Sequence, residues 1–493
     1  MSTTIDLSST LGNPDAFFIG GKWATPSTNE KISVIDSSTE TPFLSVAAAA
    51  PDDMSRAVAA ARGAFDHGPW PWLKHSERAD YLRNIAAGLR KYAAEFEQIY
   101  PRESGILRPI ATMMIEGTAL DFESYAALAE TFEFARETKP TDGEFGVIRM
   151  EPVGVVGAIV AWNGPLTLIV HKVAPALLAG CTVVVKSPPD APGEGYLLAR
   201  IAEEIGLPEG VLNVVTADRE VSELLVRDPR VDKIGFTGST AAGRRIASLC
   251  GERIARYTLE LGGKSAAIVL DDADIAQAAA ILAGSECLLA GQVCSSLTRI
   301  VVARSRHDEM VEAIAAIFRQ VKVGDPYEEG VQMGPLVSGR QRDRVEDYIR
   351  AGSSEGAHLA AGGGRPSHLD RGYFVEPTVF GDVNPDSRLA QEEVFGPVLA
   401  VIPADDAEHA VEIANNSIYG LNGAVFTPDV DRAYDIASRL RTGTVGHNAF
   451  RSDFGMGFGG FKQSGVGREG GVQGLSAYLE SKSVILDGAP SRM

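Results

Sequence analysis

The sequence contains few residues that form disulfides or bind metals. Its 493 residues include eight histidines and only four cysteines, Cys181, Cys250, Cys287 and Cys294. No C-x-x-C pair, H-E-x-x-H motif or Cys/His cluster is present, so neither a disulfide scaffold nor a metal site is predicted. A few unpaired thiols are typical of a reducing compartment, and we expect a cytoplasmic protein.

Long hydrophobic runs and basic charge are also scarce. No uninterrupted apolar stretch approaches the ~18 residues that a membrane span needs, and Met1–Leu11 lacks the basic and apolar regions of a signal peptide. The chain has 65 acidic and 46 basic residues, a formal net charge of −19. This charge repels phosphate backbones and anionic lipids, so we expect no nucleic acid and no membrane among the partners.

The remaining pattern is an alternation of strands and helices. A chain of 493 residues predicts two or three domains. The apolar run Val153–Val160, the helical stretch Leu166–Ala179 and the β-branched run Thr182–Val185 begin an alternation that indicates a parallel α/β sheet. The same alternation recurs from Ser265 to about Leu399, which predicts a second α/β domain.

Two glycine-rich segments are candidates for ligand contact. The segment Gly235–Gly243 lies where a predicted strand ends and a helix begins, and free N–H groups at a helix start attract phosphate. The full G-x-G-x-x-G pattern is absent, so an ordinary strand–helix turn remains an alternative. Residues 454–471 contain eight glycines, which form either close-packed turns or a backbone that approaches a ligand.

The candidate nucleophile is Cys294. It lies among small residues in Gly291–Ser296, which leave a thiol accessible, and an ionised cysteine is intrinsically nucleophilic. A single cysteine is more often a small buried hydrophobic residue. That interpretation is kept for the other three cysteines, which have apolar or helical surroundings.

A glutamate and an asparagine are candidates for acid–base and oxyanion roles. Glu260 precedes a Gly-Gly turn, and a partly apolar setting raises a carboxyl pKa so that the group can act as a general base. A surface pair with Lys264 remains an alternative. Asn163 follows the first predicted parallel strand, where ligands bind and where an amide can donate to an oxyanion. An Asn-Gly turn is the alternative there.

The joint pattern resembles the aldehyde dehydrogenase superfamily. Six segments occur in the order of that family's signatures, and the resemblance runs from Phe18 to about Lys482. The segments are Trp162–Pro165, Gly235–Ser239, Glu260–Ser265, Gly291–Cys294, Glu392–Val398 and Phe458–Glu469.

The resemblance implies a role for each of twelve residues. Cys294 would be the nucleophile, Glu260 the base that activates the hydrolytic water, and Asn163 the oxyanion-hole amide beside the Cys294 backbone N–H. Lys172 matches a lysine associated with proton relay. Cofactor contacts would come from Trp162, Lys186, Pro189, Gly238, Ser239, Leu261, Glu393 and Phe395. Among these, Lys186 and Glu393 would hold ribose hydroxyls, Ser239 the pyrophosphate and Phe395 the nicotinamide end.

The implied reaction is the oxidation of a small-molecule aldehyde to a carboxylic acid with NAD(P)+. It would pass through a thiohemiacetal and a thioester on Cys294, which water activated by Glu260 then hydrolyses. One alternative is an acylating relative that transfers the acyl group to coenzyme A, and Glu260 argues against it. Another is a binding protein without turnover on the same scaffold, because fold alone does not prove activity.

Two departures from the family bear on cofactor choice and proton transfer. Pro189 stands where many NAD-preferring members have a glutamate for the adenosine ribose. NAD is placed first and NADP is kept as the alternative. Val472 stands where a glutamate linked to Lys172 is expected, which predicts a relay through water alone.

Two further departures concern the aldehyde channel. Gly164 and His171 replace aromatic residues that are usual beside Asn163 and Lys172. Because both changes open or repolarise the channel, the hypothesis is a bulky or aromatic aldehyde over a short one.

The resemblance also implies the architecture. We expect an aldehyde-dehydrogenase-like α/β fold with two parallel-sheet domains, a Rossmann-like cofactor domain and a catalytic domain, plus a small β arm for oligomerisation. The cofactor domain would use residues 1–130 and 151–257, the catalytic domain 258–475, and the arm 131–150 and 476–493. Thr138–Met150 would be an edge strand, which needs a partner, so a homodimer or homotetramer is expected.

Overall fold

The computed structural model describes Leu7 and residues 10–491, in which strands and helices alternate over most of the chain. Numbered in chain order, the strands are β1 (Phe17–Ile19), β2 (Lys22–Ala24), β3 (Lys31–Asp36), β4 (Thr41–Ala47), β5 (Ala135–Thr138), β6 (Phe145–Pro152), β7 (Val155–Ile159), β8 (Thr182–Ser187), β9 (Leu212–Thr216), β10 (Lys233–Thr237), β11 (Arg256–Glu260), β12 (Ala266–Val269), β13 (Arg299–Ala303), β14 (His358–Ala361), β15 (Thr378–Gly381), β16 (Val398–Ala404), β17 (Gly423–Phe426), β18 (Gly446–His447), β19 (Gly465–Val466) and β20 (Leu479–Leu486). The helices are α1 (Pro51–His67), α2 (His75–Lys91), α3 (Ala93–Ser104), α4 (Arg108–Thr131), α5 (Pro165–Ala179), α6 (Gly193–Glu204), α7 (Arg219–Arg227), α8 (Thr240–Glu252), α9 (Ile275–Cys287), α10 (His307–Phe318), α11 (Gly339–Ser354), α12 (Arg388–Gln391), α13 (Ala407–Asn415), α14 (Val430–Arg439) and α15 (Gly471–Ser476).

The first large sheet has eight strands in the order β19-β11-β10-β7-β8-β9-β1-β2. Its five central strands, β7 to β11, are mutually parallel, and the three outer strands pair antiparallel. The central β7, β8, β9 and β10 are buried along their whole length, as expected for parallel strands covered by helices on both faces. The predicted parallel α/β sheet is therefore confirmed.

The second large sheet has seven strands in the order β14-β15-β16-β13-β12-β17-β18. All its pairs are parallel except β14 with β15. The two sheets together confirm the two α/β domains of the expected fold. The predicted domain boundary between residues 257 and 258 falls inside β11. This strand pairs with β10 along its whole length, so it belongs to the first sheet. The division into domains stays a prediction.

A separate antiparallel sheet has the order β20-β6-β5. The prediction of one edge strand over Thr138–Met150 is wrong, because the chain turns between β5 and β6 and forms a hairpin. The turn contains Pro140 and Gly143, whose φ of 101° favours glycine. As a result β6 is the central strand, paired with β20 on its other side, and β5 is at an edge.

Two kinds of feature are missing from the described residues. None of their helices is long and apolar enough to cross a membrane. Within the same ranges, no group of three or more His, Cys, Asp or Glu side chains is placed to hold a metal ion. Of the segment Met1–Leu11, residues 1–6 and 8–9 lie outside the described part of the chain.

Candidate active site

One cleft opens at the carboxyl ends of the parallel strands of the first sheet. It consists of two cavities of about 630 Å³ and about 270 Å³, and the residues that line both include Trp162, Gly238 and Ser239. Lys186 and Pro189 line the larger cavity. The smaller cavity reaches the second sheet and brings together Trp162, Asn163, Gly238, Ser239, Glu260, Leu261, Cys294, Glu393 and Phe395. Eleven of the twelve predicted site residues therefore line the cleft, and Lys172 lies behind it.

The turn after β10 has the geometry of an anion site. Ser239 caps α8, and its Oγ accepts a hydrogen bond from the Ala242 N–H at 3.3 Å. A Cβ at Gly238 would lie 2.6 Å from the Phe236 ring, which would have to move to accept it. The positive end of the α8 dipole faces the cleft, which favours the phosphates of a nucleotide.

The larger cavity ends at Lys186 and Pro189. Lys186 ends its strand near the cleft with its Nζ 3.5 Å from the Val160 carbonyl oxygen, and burial lowers its pKa to about 8. Pro189 offers no side-chain acceptor. Its neighbour Asp190 has its Oδ2 3.5 Å from the guanidinium of Arg340, an exposed residue that no sequence motif marked. A cationic side chain therefore stands at this end of the cleft.

Cys294 lies at the floor of the smaller cavity. It is half-buried and free, whereas the other three cysteines are free and buried. Burial, together with the nearby carboxylates of Glu393 and Glu260, raises the pKa of the Cys294 thiol to about 12. The thiol is therefore neutral at rest, and its attack on a carbonyl requires a proton to be removed.

Asn163 lies against the loop that carries the cysteine. Its Nδ2 donates to the Gln292 carbonyl oxygen at 3.0 Å, and the Tyr100 hydroxyl donates to the Asn163 carbonyl oxygen at 3.0 Å. Because Gln292 is only two residues before Cys294, the amide stands beside the position of a substrate bound to the sulfur. Its oxyanion-hole role stays a prediction.

Glu260 is buried at the end of β11, with only 2% of its surface exposed. Neither carboxylate oxygen has a hydrogen-bond partner within the described ranges. Burial, followed by the nearby Glu469, raises its pKa well above the ordinary value. Lys264 is equally buried, so the alternative of a surface Glu260–Lys264 pair is wrong.

Lys172 has a carboxylate partner that the sequence analysis did not identify. Its Nζ lies 2.7 Å from Glu469 Oε1 and 2.7 Å from Thr237 Oγ1, and both charged groups are buried. Val472 lies on α15 with 52% of its surface exposed. Glu469 therefore supplies the carboxylate that Val472 cannot, and the route of the proton relay stays a prediction. The signal was the Gly-Arg-Glu segment, whose glutamate had been assigned no role.

Two side chains of α11 hold the segment that carries Glu393 and Phe395. Gln341 Nε2 donates to the Phe395 carbonyl oxygen at 2.6 Å, and the Arg344 guanidinium donates to the Glu393 carbonyl oxygen. Phe395 has a φ of 61° and meets the Trp162 ring edge-on, with centroids 5.4 Å apart. Neither α11 residue belongs to a motif that sequence reasoning had marked.

A third cavity of about 320 Å³ lies beside α5, the helix that also contributes to the cavity of Cys294. Leu168 lines the cavity of Cys294 and His171, one turn later, lines the third cavity. His171 stacks on Phe454 with ring centroids 3.7 Å apart. Its Nε2 lies 3.5 Å from Asp121 Oδ2 without forming a hydrogen bond, and burial lowers its pKa to about 3, so the ring is neutral. Other lining residues are Asp121, Ser124, Tyr125, Leu128 and Asp453.

The parallel sheet, the helix end suited to phosphate and the adjoining thiol define a nucleotide-dependent oxidoreductase. Residues 23–484 match the aldehyde dehydrogenase family, and the chain belongs to that family. It is an enzyme that oxidises an aldehyde and uses NAD as cofactor.

The relatives cover nearly the whole chain. Geranial dehydrogenase of Castellaniella defragrans is 44% identical over 96% of this chain and 98% of its own. Chloroplastic betaine aldehyde dehydrogenase of Amaranthus hypochondriacus is 38% identical over 95% of each chain. The crystal structure of a Mycobacterium tuberculosis aldehyde dehydrogenase complexed with NAD+ is similar with a TM-score of 0.94 and 45% identity, covering 96% of this chain and 98% of that one.

Replacing Glu469 by Gln is expected to shift the rising limb of the pH–rate profile to lower pH. A raised carboxyl pKa means that the ionised form of Glu260 is populated only as the pH rises through that pKa. Removing the Glu469 charge lowers the pKa of Glu260, and the unpaired Lys172 ammonium lowers it further. We expect a shift of about one pH unit or more in kcat at saturating aldehyde and NAD+.

The control for this variant is Glu480→Gln, which removes an exposed carboxylate paired with Arg256. It should leave the profile in place. An unchanged profile in the Glu469→Gln enzyme would contradict the coupling between the two buried carboxyl groups.

Proposed function

We propose that Cys294, Asn163 and Glu260 carry out the oxidation. The Cys294 thiol first gives its proton to the Glu260 carboxylate, which releases it to solvent. The thiolate then attacks the aldehyde carbon, and the Asn163 amide and the Cys294 backbone N–H stabilise the oxyanion. Bound NAD+ supplies the acceptor for the hydride that leaves this carbon. Glu260 then takes a proton from water, which attacks the resulting thioester and releases the carboxylic acid and the thiolate. The single observation that carries the proposal is the convergence of these three side chains on one cavity.

The cleft fits the cofactor at both ends. The α8 N-terminus with Gly238 and Ser239 would hold the pyrophosphate, and Lys186 and Glu393 would hold the two riboses. Trp162, Leu261 and Phe395 would line the path to the nicotinamide. We place NAD first and keep NADP as a second cofactor, because Pro189 neither binds a ribose hydroxyl nor repels a 2′-phosphate.

Hydrolysis is favoured over transfer to coenzyme A. Glu260 is buried, has unpartnered oxygens and has a raised pKa, which are the properties of a general base near neutral pH. An acylating enzyme does not need such a group. A binding protein without turnover would not need it either.

The third cavity supports a bulky aldehyde as substrate. It lies one helical turn from the cavity of Cys294 and has a volume of about 320 Å³, which acetaldehyde would leave almost empty. Gly164 adds no side chain beside Asn163: a Cβ there would meet only the Tyr100 hydroxyl, at 3.6 Å. The proposal is that the aldehyde carbon meets Cys294 while its tail occupies the third cavity.

The first test measures initial rates of NADH and NADPH formation over aliphatic and aromatic aldehydes. We expect turnover that Cys294→Ala abolishes, a higher kcat/KM for bulky aldehydes than for acetaldehyde, and no dependence on coenzyme A. The highest kcat/KM for acetaldehyde would overturn the size preference. Activity only with coenzyme A would overturn the hydrolytic reaction, and a Kd for NADP+ more than about tenfold below that for NAD+ would reverse the cofactor order.

A second candidate is an aldehyde whose tail carries a positive charge. The third cavity is lined by the carboxylates of Asp121 and Asp453 and by no lysine or arginine within the described residues. Burial, with Asp453 nearby, raises the pKa of Asp121 to about 6, so a cation would favour its ionised form. The neutral rings of His171 and Phe454 are suited to packing against alkylammonium groups.

Two isosteric aldehydes separate these candidates. 4-(Trimethylammonio)butanal and 5,5-dimethylhexanal differ in the charge of one tetrahedral centre. A cation site predicts a kcat/KM about tenfold higher for the first, lost in Asp121→Asn and kept in Asp370→Asn, whose carboxylate is exposed elsewhere. Equal values for the pair in the wild-type enzyme would leave only the size preference.

The three-stranded sheet supports the proposed assembly and domain division. Residues 131–150 and 476–493, proposed for the arm, contain β5, β20 and all but the last two residues of β6, and all four residues of β5 are exposed at the edge of the sheet. An exposed edge is a site for pairing with another chain. We expect a homodimer or homotetramer, and sedimentation equilibrium that shows only the 52.3 kDa monomer would refute it.

The four free thiols support a cytoplasmic location, because disulfide-forming compartments favour paired cysteines. Cell fractionation that places the activity outside the cytoplasm would contradict this proposal.

A further inference from the structure

The buried Glu286 lies directly beneath the loop that carries Cys294. It is the penultimate residue of α9, and only 1% of its surface is exposed. Glu286 has no role in the proposed reaction steps. A buried carboxyl group is costly unless it makes compensating contacts, so the contacts of Glu286 indicate what it does.

Glu286 contacts the loop on both sides of the cysteine. Its Oε2 accepts a hydrogen bond from the Ser296 hydroxyl, two residues after Cys294. Its Oε1 has no hydrogen-bond partner in the described structure and lies beside Gly291, three residues before Cys294, where a Cβ would be 2.7 Å from this atom. The carboxyl group therefore spans the segment from Gly291 to Ser296.

The backbone entering this segment is strained. Leu289, Ala290 and Gly291 have φ values of 51°, 50° and 70°, so three successive residues are left-handed and two of them carry a Cβ. Such conformations persist only where surrounding contacts hold them. Gln292 supplies some of these contacts, since its side chain donates to the Leu289 carbonyl oxygen at 2.9 Å and accepts from the Val337 N–H at 2.9 Å. Both bonds are made by a residue that precedes Cys294. The residues that follow the cysteine are held by the bond between Ser296 and Glu286.

We propose that Glu286 is a positioning residue, which holds the Cys294 loop through Ser296 and the Gly291 backbone so that the sulfur and the Cys294 N–H face the substrate beside Asn163. This inference rests on the proposed role of Cys294 as nucleophile. The bond to Ser296 fixes the carboxyl-terminal half of the loop, and the unbonded Oε1 packs beside the start of the loop at Gly291. Without both, the loop can relax from its strained turn and carry the sulfur away from Asn163.

The test measures the alkylation rate of Cys294 by iodoacetamide together with kcat, KM and the Kd for NAD+. Alkylation of the other thiols is subtracted with a Cys294→Ala enzyme. We expect Glu286→Ala and Ser296→Ala to lower both the alkylation rate and kcat by about tenfold or more, with the Kd for NAD+ unchanged. Glu286→Gln keeps an acceptor for Ser296 and should restore both rates to within about threefold of wild type.

The matched control is Ser285→Ala, which removes a hydroxyl from the neighbouring position of α9 that bonds only to the Leu282 carbonyl oxygen at 3.0 Å. It should behave as wild type. Wild-type rates in Ser296→Ala, or a Glu286→Gln enzyme as slow as Glu286→Ala, would overturn the proposal. Ser296→Ala probes the same contact if Glu286→Ala does not fold. Full turnover in Cys294→Ala would instead refute the role of Cys294 as nucleophile. The alkylation rates would still show whether Glu286 holds the loop in position.

Discussion

The site depends on the close approach of three chain segments at Gly262 and Gly263. A Cβ at Gly263 would lie 2.2 Å from the Cys294 carbonyl oxygen, and one at Gly262 would lie 2.5 Å from Glu393 Oε2. The Gly263 N–H also donates to Glu393 Oε1 at 2.9 Å. Because no side chain intervenes, the glutamate at the end of the first sheet, the cysteine loop and the segment before β16 meet at contact distance. This contact joins the proposed base, the proposed nucleophile and a proposed cofactor ligand in one cavity.

The burial of these groups in one cavity also shifts their pKa values. Burial is the main cause that raises the pKa values of Glu260, Glu393 and the Cys294 thiol, and the two carboxylates also raise that of the thiol. The Lys172 ammonium is one of the two cations that oppose the rise in the pKa of Glu260. Its bond to Glu469 holds it there. Burial therefore opposes the ionisation of all three groups, and the proposed reaction requires Cys294 to lose a proton and Glu260 to act as a base.

The sequence was sufficient for the parts of the site that lie within short segments. Ser239 at a helix start, Cys294 in a small-residue turn and Glu260 beside two glycines each have a local pattern, and the structure places all three on one cleft. The partner of Lys172 lies 297 residues away in the chain. No local pattern specifies such a pair, and the family resemblance suggested position 472, three residues too far. The β5–β6 hairpin was missed for a different reason, since a proline and glycine turn was treated as the approach to a single strand.

The placement of the third cavity suggests how specificity and chemistry are separated. Its walls come from α4, α5 and the glycine-rich loop before α15, whereas the proposed nucleophile, base and oxyanion amide lie on the other cavity. Only α5 serves both, with Leu168 on one cavity and His171 on the other. Lys172 follows His171 directly, so the helix also carries the cation next to Glu469 and Glu260. A change at Asp453 would alter the cavity proposed for the aldehyde tail, whereas a change in the position of α5 would alter both cavities and the position of this cation.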